Sequence, residues 1–359
     1  MLDVSKPTFA RILGSRLLRA LLVGFFGGAF FLGGYLYWFW HRPLDPGNEP
    51  YVLRPGAGLA VLARELHQRG VISSARTFVW LGRLTGKSRQ LKAGEYRFPP
   101  GSSASDIVAQ VVAGRVIEYP LVLVEGWNFR QVLQALRAAP KLQQTLTGLT
   151  HEEIMARIGR PGVHPEGRFF PDTYYYSSGH TDAHILVRAF ERMEAVLREE
   201  WERRSPDAPV RTPDEALVLA SIIEKETGRP DERGVIAGVF ANRLRRGMRL
   251  QSDPTVIYGL GEAFDGNIRR RDLLADTEYN TYTRSGLPPT PIAMPGRDSL
   301  IAALHPTPTT ALYFVSRGDG SHVFSSTLAE HNAAVMQYQL RRRADPSGAP
   351  AAEAAAQGR

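Results

Sequence analysis

The chain has 359 residues, enough for about two or three folded units. Its 43% hydrophobic and 22% charged residues are an ordinary globular balance that excludes a wholly disordered chain. An excess of 44 Lys and Arg over 36 Asp and Glu gives a formal net charge of +8, which suits an anionic partner: nucleic acid, membrane headgroups or an acidic polymer. The absence of cysteine excludes disulfide scaffolds, thiolate zinc sites and cysteine nucleophiles.

Residues 20–40 carry no charged side chain. At roughly 1.5 Å per residue this stretch spans about 31 Å, close to the hydrocarbon thickness of a bilayer. Lys6, Arg11, Arg16 and Arg19 precede it and Arg42 follows. The positive-inside rule therefore places residues 1–19 in the cytoplasm and the bulk of the chain on the far side. Tyr35, Tyr37, Trp38 and Trp40 form an aromatic belt at the exit, too bulky for a signal-peptide cleavage site. A single-pass anchor with an external body argues against nucleic acid and leaves lipid headgroups and cell-wall polymers as the anionic partners.

Residues 41–50 read as a Pro-rich linker. Tyr51, Val52 and Leu53 start a strand, and Leu59, Val61, Leu62 and Leu66 recur at helical spacing. A second helix is predicted over 71–85, a strand over 94–98, and a short helix over 103–112 with Ser103 as N-cap. Residues 51–117 thus form a small α+β module. Residues 118–343 form a larger α+β domain, opening on a strand at 118–124, followed by helices within 129–158 and 181–203. Residues 344–359 are low-complexity and read as disordered.

The stretch from Thr212 carries the strongest chemical signal. Thr212 as N-cap, Pro213 at the first turn and Glu215 three residues on mark a helix start. The run Ala216 to Ile223 is apolar nearly all round, so the helix is expected to be buried. Glu224 lies four residues after Ala220 and seven after Leu217, on their face. Burial of such a carboxylate raises its pKa, the property a general acid needs at neutral pH. Glu226 points elsewhere and is expected in solvent or paired to an arginine. A second helix is predicted over 231–246, with Gly247 at its C-cap. Two segments read as irregular follow, Gln251 to Gly259 and Tyr279 to Thr283. They bring together amides, hydroxyls and tyrosine rings, the groups that sugars recruit.

These motifs resemble the YceG-like family of endolytic murein transglycosylases. The matching stretches are S-I-I-E-K-E-T (221–227), V-F-A-N-R-L-R-R-G-M-R-L-Q-S-D-P-T-V-I-Y-G (239–259), Y-N-T-Y-T (279–283) and G-L-P-P (286–289). V-E-G-W (124–127), E-G-R-F-F-P-D-T-Y-Y-Y (166–176) and K-A-G-E-Y-R-F (92–98) also match. The resemblance implies a LysM-like module over 51–117, a catalytic domain after it, and Glu224 as the catalytic residue. Gln251, Asp253, Tyr258, Asn280 and Tyr282 are expected to line the substrate cleft. It further implies cleavage of the β-1,4 bond between N-acetylmuramic acid and N-acetylglucosamine in nascent glycan strands. The partners it implies are those strands and penicillin-binding proteins or other wall synthases, at the inner membrane with the catalytic domain periplasmic. No metal or cofactor is implied.

A lytic transglycosylase needs only one carboxylate. The 6-hydroxyl of the muramyl residue attacks its own anomeric carbon, giving a 1,6-anhydro end, so the substrate supplies the nucleophile. Two alternatives stay open: a water-using muramidase, with Asp253 as the second carboxylate, and a non-catalytic peptidoglycan-binding scaffold.

Overall fold

The computed structural model describes residues 9–340, and side chains over 18–339. They divide into two compact units: one runs to Glu118 and includes Ser177–Gly179, and the other comprises Tyr119–Tyr176 and the chain from His180 onward. The architecture is mixed helix and sheet, with three two-stranded sheets among the described residues. The expected tail at 344–359 and residues 1–8 of the expected cytoplasmic segment lie outside the described residues.

The first unit begins with α1 (Phe9–His41), a 33-residue helix whose Leu18–His41 portion is long and apolar enough to cross a membrane. It is followed by β1 (Tyr51–Leu53), α2 (Leu59–Gln68), α3 (Ala75–Leu84), β2 (Gly94–Tyr96) and α4 (Ala104–Ala113). β1 and β2 pair antiparallel, Tyr51 opposite Tyr96 and Leu53 opposite Gly94. Tyr51, Tyr96, Phe78, Leu62, Leu66 and Ile107 fill the core. The last turn of α1 adds Phe39, only 1% exposed, to that core. Ser103 caps α4 as expected, in a reciprocal capping box with Asp106. α3 starts four residues later than the predicted 71, because the Ser74 hydroxyl accepts from the Thr77 amide and fixes the helix start there.

The second unit contains β3 (Glu118–Val122), α5 (Phe129–Ala138), α6 (His151–Arg157), β4 (Thr173–Ser177) and α7 (Asp182–Glu202). Then come α8 (Pro213–Glu226), α9 (Pro230–Arg245), α10 (Asp253–Leu260), α11 (Arg270–Leu274), α12 (Arg297–Leu304), the hairpin β5 (Tyr313–Ser316) and β6 (His322–Ser325), and α13 (Leu328–Val335). β3 pairs with β4, and β5 with β6. The aromatic stretch 166–176 is mostly core: Phe169, Phe170, Tyr174 and Tyr176 are all buried, and the Tyr174 hydroxyl donates to the Phe170 carbonyl. The segment 251–259, expected to be irregular, is helical from Asp253 onward, as α10. Its Pro254 sits in the first turn, where a missing N–H costs no intrahelical bond.

α8 is the spine of this unit. Every residue from Ala216 to Ile223 is buried, against α7, α9, α10 and α12. Thr212 accepts from the Glu215 amide as expected, whereas the Glu215 carboxylate reaches back to the Arg211 amide rather than closing a capping box. α9 comes close to residues 307–309 at Gly238, where a β-carbon would overlap the Thr307 carbonyl and the Thr309 methyl. Gly238→Ala is therefore expected to destabilise the protein by about 1–3 kcal/mol as an overpacking change. Thermal denaturation should show a lowered midpoint, and an unchanged one would contradict this account of the contact.

Candidate functional site

The end of α8 places consecutive polar side chains in different surroundings, because helical residues turn by roughly 100° each. Glu224 is partly buried, and its Oε2 accepts from the Gly296 amide at 3.0 Å and the Ser299 hydroxyl at 2.7 Å. Both donors belong to the start of α12, so Glu224 caps that helix. Glu125, in the V-E-G-W turn, sits against Gly296, where a β-carbon would collide with its carboxylate. Desolvation raises the Glu125 pKa, and the Glu224 charge raises it further. Sequence reasoning did not single out Glu125. Gly126, at φ +77°, lets this turn exchange backbone hydrogen bonds with Met294, from the Gly126 amide and back to the Trp127 carbonyl.

Glu226, expected in solvent or on an arginine, is instead set in the wall of a cavity of about 500 Å³. It shares the cavity with residues from several separate stretches of chain. Gln251, Asp253 and Tyr282 line the same cavity, together with Arg243, Tyr313 and His331. The Ser252 hydroxyl donates to Glu226 Oε1 at 2.5 Å. Burial pushes the Glu226 acid up to about 7, with Asp253 adding to the rise and the Ser252 bond and Arg243 charge opposing it. The Arg243 guanidinium forms no ion pair with it. Arg243 donates instead to the Leu312 carbonyl at 2.6 Å and the Leu250 carbonyl at 2.8 Å, and to Gln251 Oε1 at 3.2 Å.

The cavity wall is knitted from two of the motifs. The Gln251 amide donates to the Thr281 carbonyl at 3.1 Å, and the Ser252 amide to the Thr281 hydroxyl at 3.0 Å. Gln251 holds φ +51°, a left-handed conformation that L-residues adopt at a cost and that recurs at functional sites. The Tyr282 hydroxyl donates to Asp253 Oδ1 at 2.6 Å.

Two of the five residues expected in the cleft do not line the Glu226 cavity. Asn280 is 1% exposed, and its amide donates to the Asp272, Leu273 and Ala275 carbonyls; it closes its own loop. Tyr258 faces a second cavity, of about 940 Å³. There its hydroxyl donates at 3.0 Å to Glu166, a carboxylate only 4% exposed. Glu166 also accepts from the Phe129 amide at the start of α5, at 3.0 and 3.2 Å. Burial raises Glu166 to about 7, against both of those bonds. Its only mark in the sequence was membership of the E-G-R-F-F-P stretch.

A family model described as the YceG-like family matches residues 51–337. The endolytic murein transglycosylase of Bacillus subtilis (strain 168) is 31% identical over 332 residues, covering 87% of this chain and 90% of that protein. The endolytic murein transglycosylase of Streptococcus pneumoniae serotype 2 is 24% identical over 357 residues; the match takes in 88% of this chain but 62% of that longer protein. A crystal structure of a yceG-like protein from Listeria monocytogenes superimposes with a TM-score of 0.53 at 30% identity, covering 80% of this chain and 100% of that one.

The raised acids set a pH dependence of stability. Glu166 titrates from 4.5 when unfolded to about 7 when folded. The native state holds the proton more tightly, so this stabilising contribution is complete below 4.5 and is lost as the pH climbs through about 7. Glu166→Gln should flatten the fall in unfolding free energy between those limits by about 3 kcal/mol, taking 1.36 kcal/mol per pKa unit. Denaturant titrations at the two ends of the range measure it; parallel curves for both proteins would refute the shift.

Proposed function

The chain belongs to the YceG-like family, and from that premise we propose that it is a lyase, an endolytic murein transglycosylase, with Glu226 as its acid and base. One observation carries the choice of residue. Glu226, at about 7, shares a cavity with Gln251, Asp253 and Tyr282, three residues of the sugar-type motifs. An acid near 7 is protonated in a large fraction of molecules at neutral pH. It can give its proton to the glycosidic oxygen as that bond to the anomeric carbon breaks. The muramyl 6-hydroxyl then closes on the anomeric carbon, and the Glu226 carboxylate takes the hydroxyl proton, which restores the acid. The product is a 1,6-anhydro end, and no water is consumed. The Ser252 hydroxyl holds the carboxyl in place, and the Tyr282–Asp253 bond holds a negative charge where positive charge develops on the sugar.

Two other readings have specific support. Glu224 remains a candidate acid because the nearby Glu125 has a raised pKa, so a second pair of acids lies on that side of α8. A muramidase is supported by Asp253, a second carboxylate in the Glu226 cavity that could direct a water.

The architecture fits a wall enzyme held at a membrane. The order β1, α2, α3, β2 with antiparallel pairing supports a LysM-like module over 51–117. The apolar Leu18–His41 segment supports a single-pass anchor in the inner membrane. Lys6, Arg11, Arg16 and Arg19, before and at its start, support a cytoplasmic N-terminus and a periplasmic body. Release of nascent strands makes wall synthases such as penicillin-binding proteins the partners in this reading.

Glu226→Gln should lower cleavage of uncrosslinked glycan strands by roughly 10²–10⁴-fold with the fold intact, the usual contribution of a general acid–base group. Glu224→Gln should lower it by less than about tenfold, and the reverse ranking would move the acid to Glu224. Product mass separates the chemistries, since anhydro ends are lighter by one water than the reducing ends a muramidase leaves. In the wild type, kcat/KM should fall as the pH rises through about 7, where Glu226 loses its proton. An activity that only rises across that range would remove Glu226 as the acid.

A further inference from the structure

The cavity that holds Tyr258 adjoins the Glu226 cavity at consecutive residues. Glu226 and Asp253 line one, while Lys225 and Pro254 line the other. Neighbouring α-carbons are about 3.8 Å apart, so the two cavities border the same end of α8. This second cavity joins two kinds of surface. One is apolar: the Tyr258 and Tyr279 rings stand edge to face with centroids 4.8 Å apart, beside Ile257 and Phe264. Such a platform suits the carbon face of a pyranose and an N-acetyl methyl.

The other surface is cationic and amide-rich. The Lys225 ammonium donates to the Gly126 carbonyl at 3.2 Å, and no carboxylate among the described residues lies within ion-pairing distance of it. Arg130 meets Glu262 at 2.6 Å, with side chains 55% and 84% exposed. An exposed pair of this kind contributes little and is readily exchanged for a ligand carboxylate. Asn128 and Gln131 use their amide oxygens in the α5 capping box, which leaves their NH₂ groups as donors. The buried Glu166, held by the Phe129 amide and Tyr258, fixes the tyrosine and hence the platform.

A plain N-acetylglucosamine residue has no charge for Lys225 to meet. We propose that this cavity seats a muramyl residue together with its peptide stem, whose carboxylate binds Lys225 and displaces Glu262 from Arg130. The proposal deepens the murein reading and rests on it for the identity of the substrate. It makes the enzyme selective for strands that still carry stems.

The test uses the full chain in detergent micelles and N-acetylmuramyl dipeptide, which has a free carboxylate and no glycosidic bond to cleave. A photoreactive version should crosslink to residues 126–131 and 257–264. Lys225→Met and, independently on another helix, Arg130→Gln should each weaken binding of the unmodified compound by about tenfold, the effect of one charge-assisted hydrogen bond. Binding of N-acetylglucosamine should change by less than about twofold in either variant, because it has no carboxylate to lose. On glycan strands, the kcat/KM advantage of stem-bearing over amidase-stripped strands should shrink by the same factor. Crosslinks confined to residues 313–339, or unchanged affinity in both variants, would overturn the proposal. Binding of the dipeptide does not depend on turnover. A failure of Glu226 to matter for cleavage would therefore sink the reaction assignment while leaving this site readable, and loss of the site would leave the reaction assignment standing.

Discussion

The apolar body of α8 is the constraint from which the site follows. With Ala216 to Ile223 buried on every side, the helix cannot rotate or slide without exposing core. Its polar end is thereby fixed in azimuth. Glu224 and Glu226 are separated by roughly 200° around the axis, so a rigid helix must send them to opposite sides. One carboxylate meets the start of α12, and the other meets the 251–253 and 281–282 segments. Lys225, between them, points into the neighbouring cavity. Three consecutive residues of one motif therefore serve three distinct surroundings, and the packing of eight buried residues upstream decides which residue meets which.

The same helix shows where sequence reasoning succeeds and where it stops. Its start was legible because Thr212 and Pro213 act locally, through a side-chain oxygen and a fixed φ. Its burial was legible from composition. The face was not. Assigning Glu224 to the inner side relied on its phase with Leu217 and Ala220, but phase carries information only when one side of a helix is polar. On a helix that is apolar all round, every azimuth is an inner face, and tertiary contacts alone decide which glutamate is desolvated. The 251–259 segment illustrates the opposite error. Its amides, proline and aromatics looked like loop chemistry, while Pro254 was in fact placed where a helix tolerates it.

The chemical inventory of the site was more legible than its geometry. Gln251, Asp253 and Tyr282 do come together in one cavity, although 25 residues or more separate the first two from Glu226 or Tyr282 from Asp253. Asn280 illustrates how an amide in a matched motif can be structural. All of its donor capacity goes into three carbonyls of the preceding turn, and its own carbonyl oxygen accepts from the Tyr282 amide. It orients Tyr282 and so supports the cavity without lining it. Glu166 and Glu125 left little trace in the sequence because each owes its environment to a distant partner: the start of α5 for one, and Gly296 for the other.

Two acids held near 7 are a standing cost to the native state at neutral pH, since ionising either in place is unfavourable. The cost differs in kind. Glu166 is enclosed, and two groups that hold the tyrosine platform together, the Phe129 amide and the Tyr258 hydroxyl, end on it. Its strain is repaid in local order. Among the described residues Glu226 has a single hydrogen bond, from Ser252, and it lines a cavity, so none of their contacts needs its proton. A raised acid that the architecture does not use is available to a ligand. That asymmetry separates a carboxylate tied into the architecture from the one proposed as the acid more sharply than the shared rise to about 7 does, because only Glu226 faces a cavity that a ligand can enter.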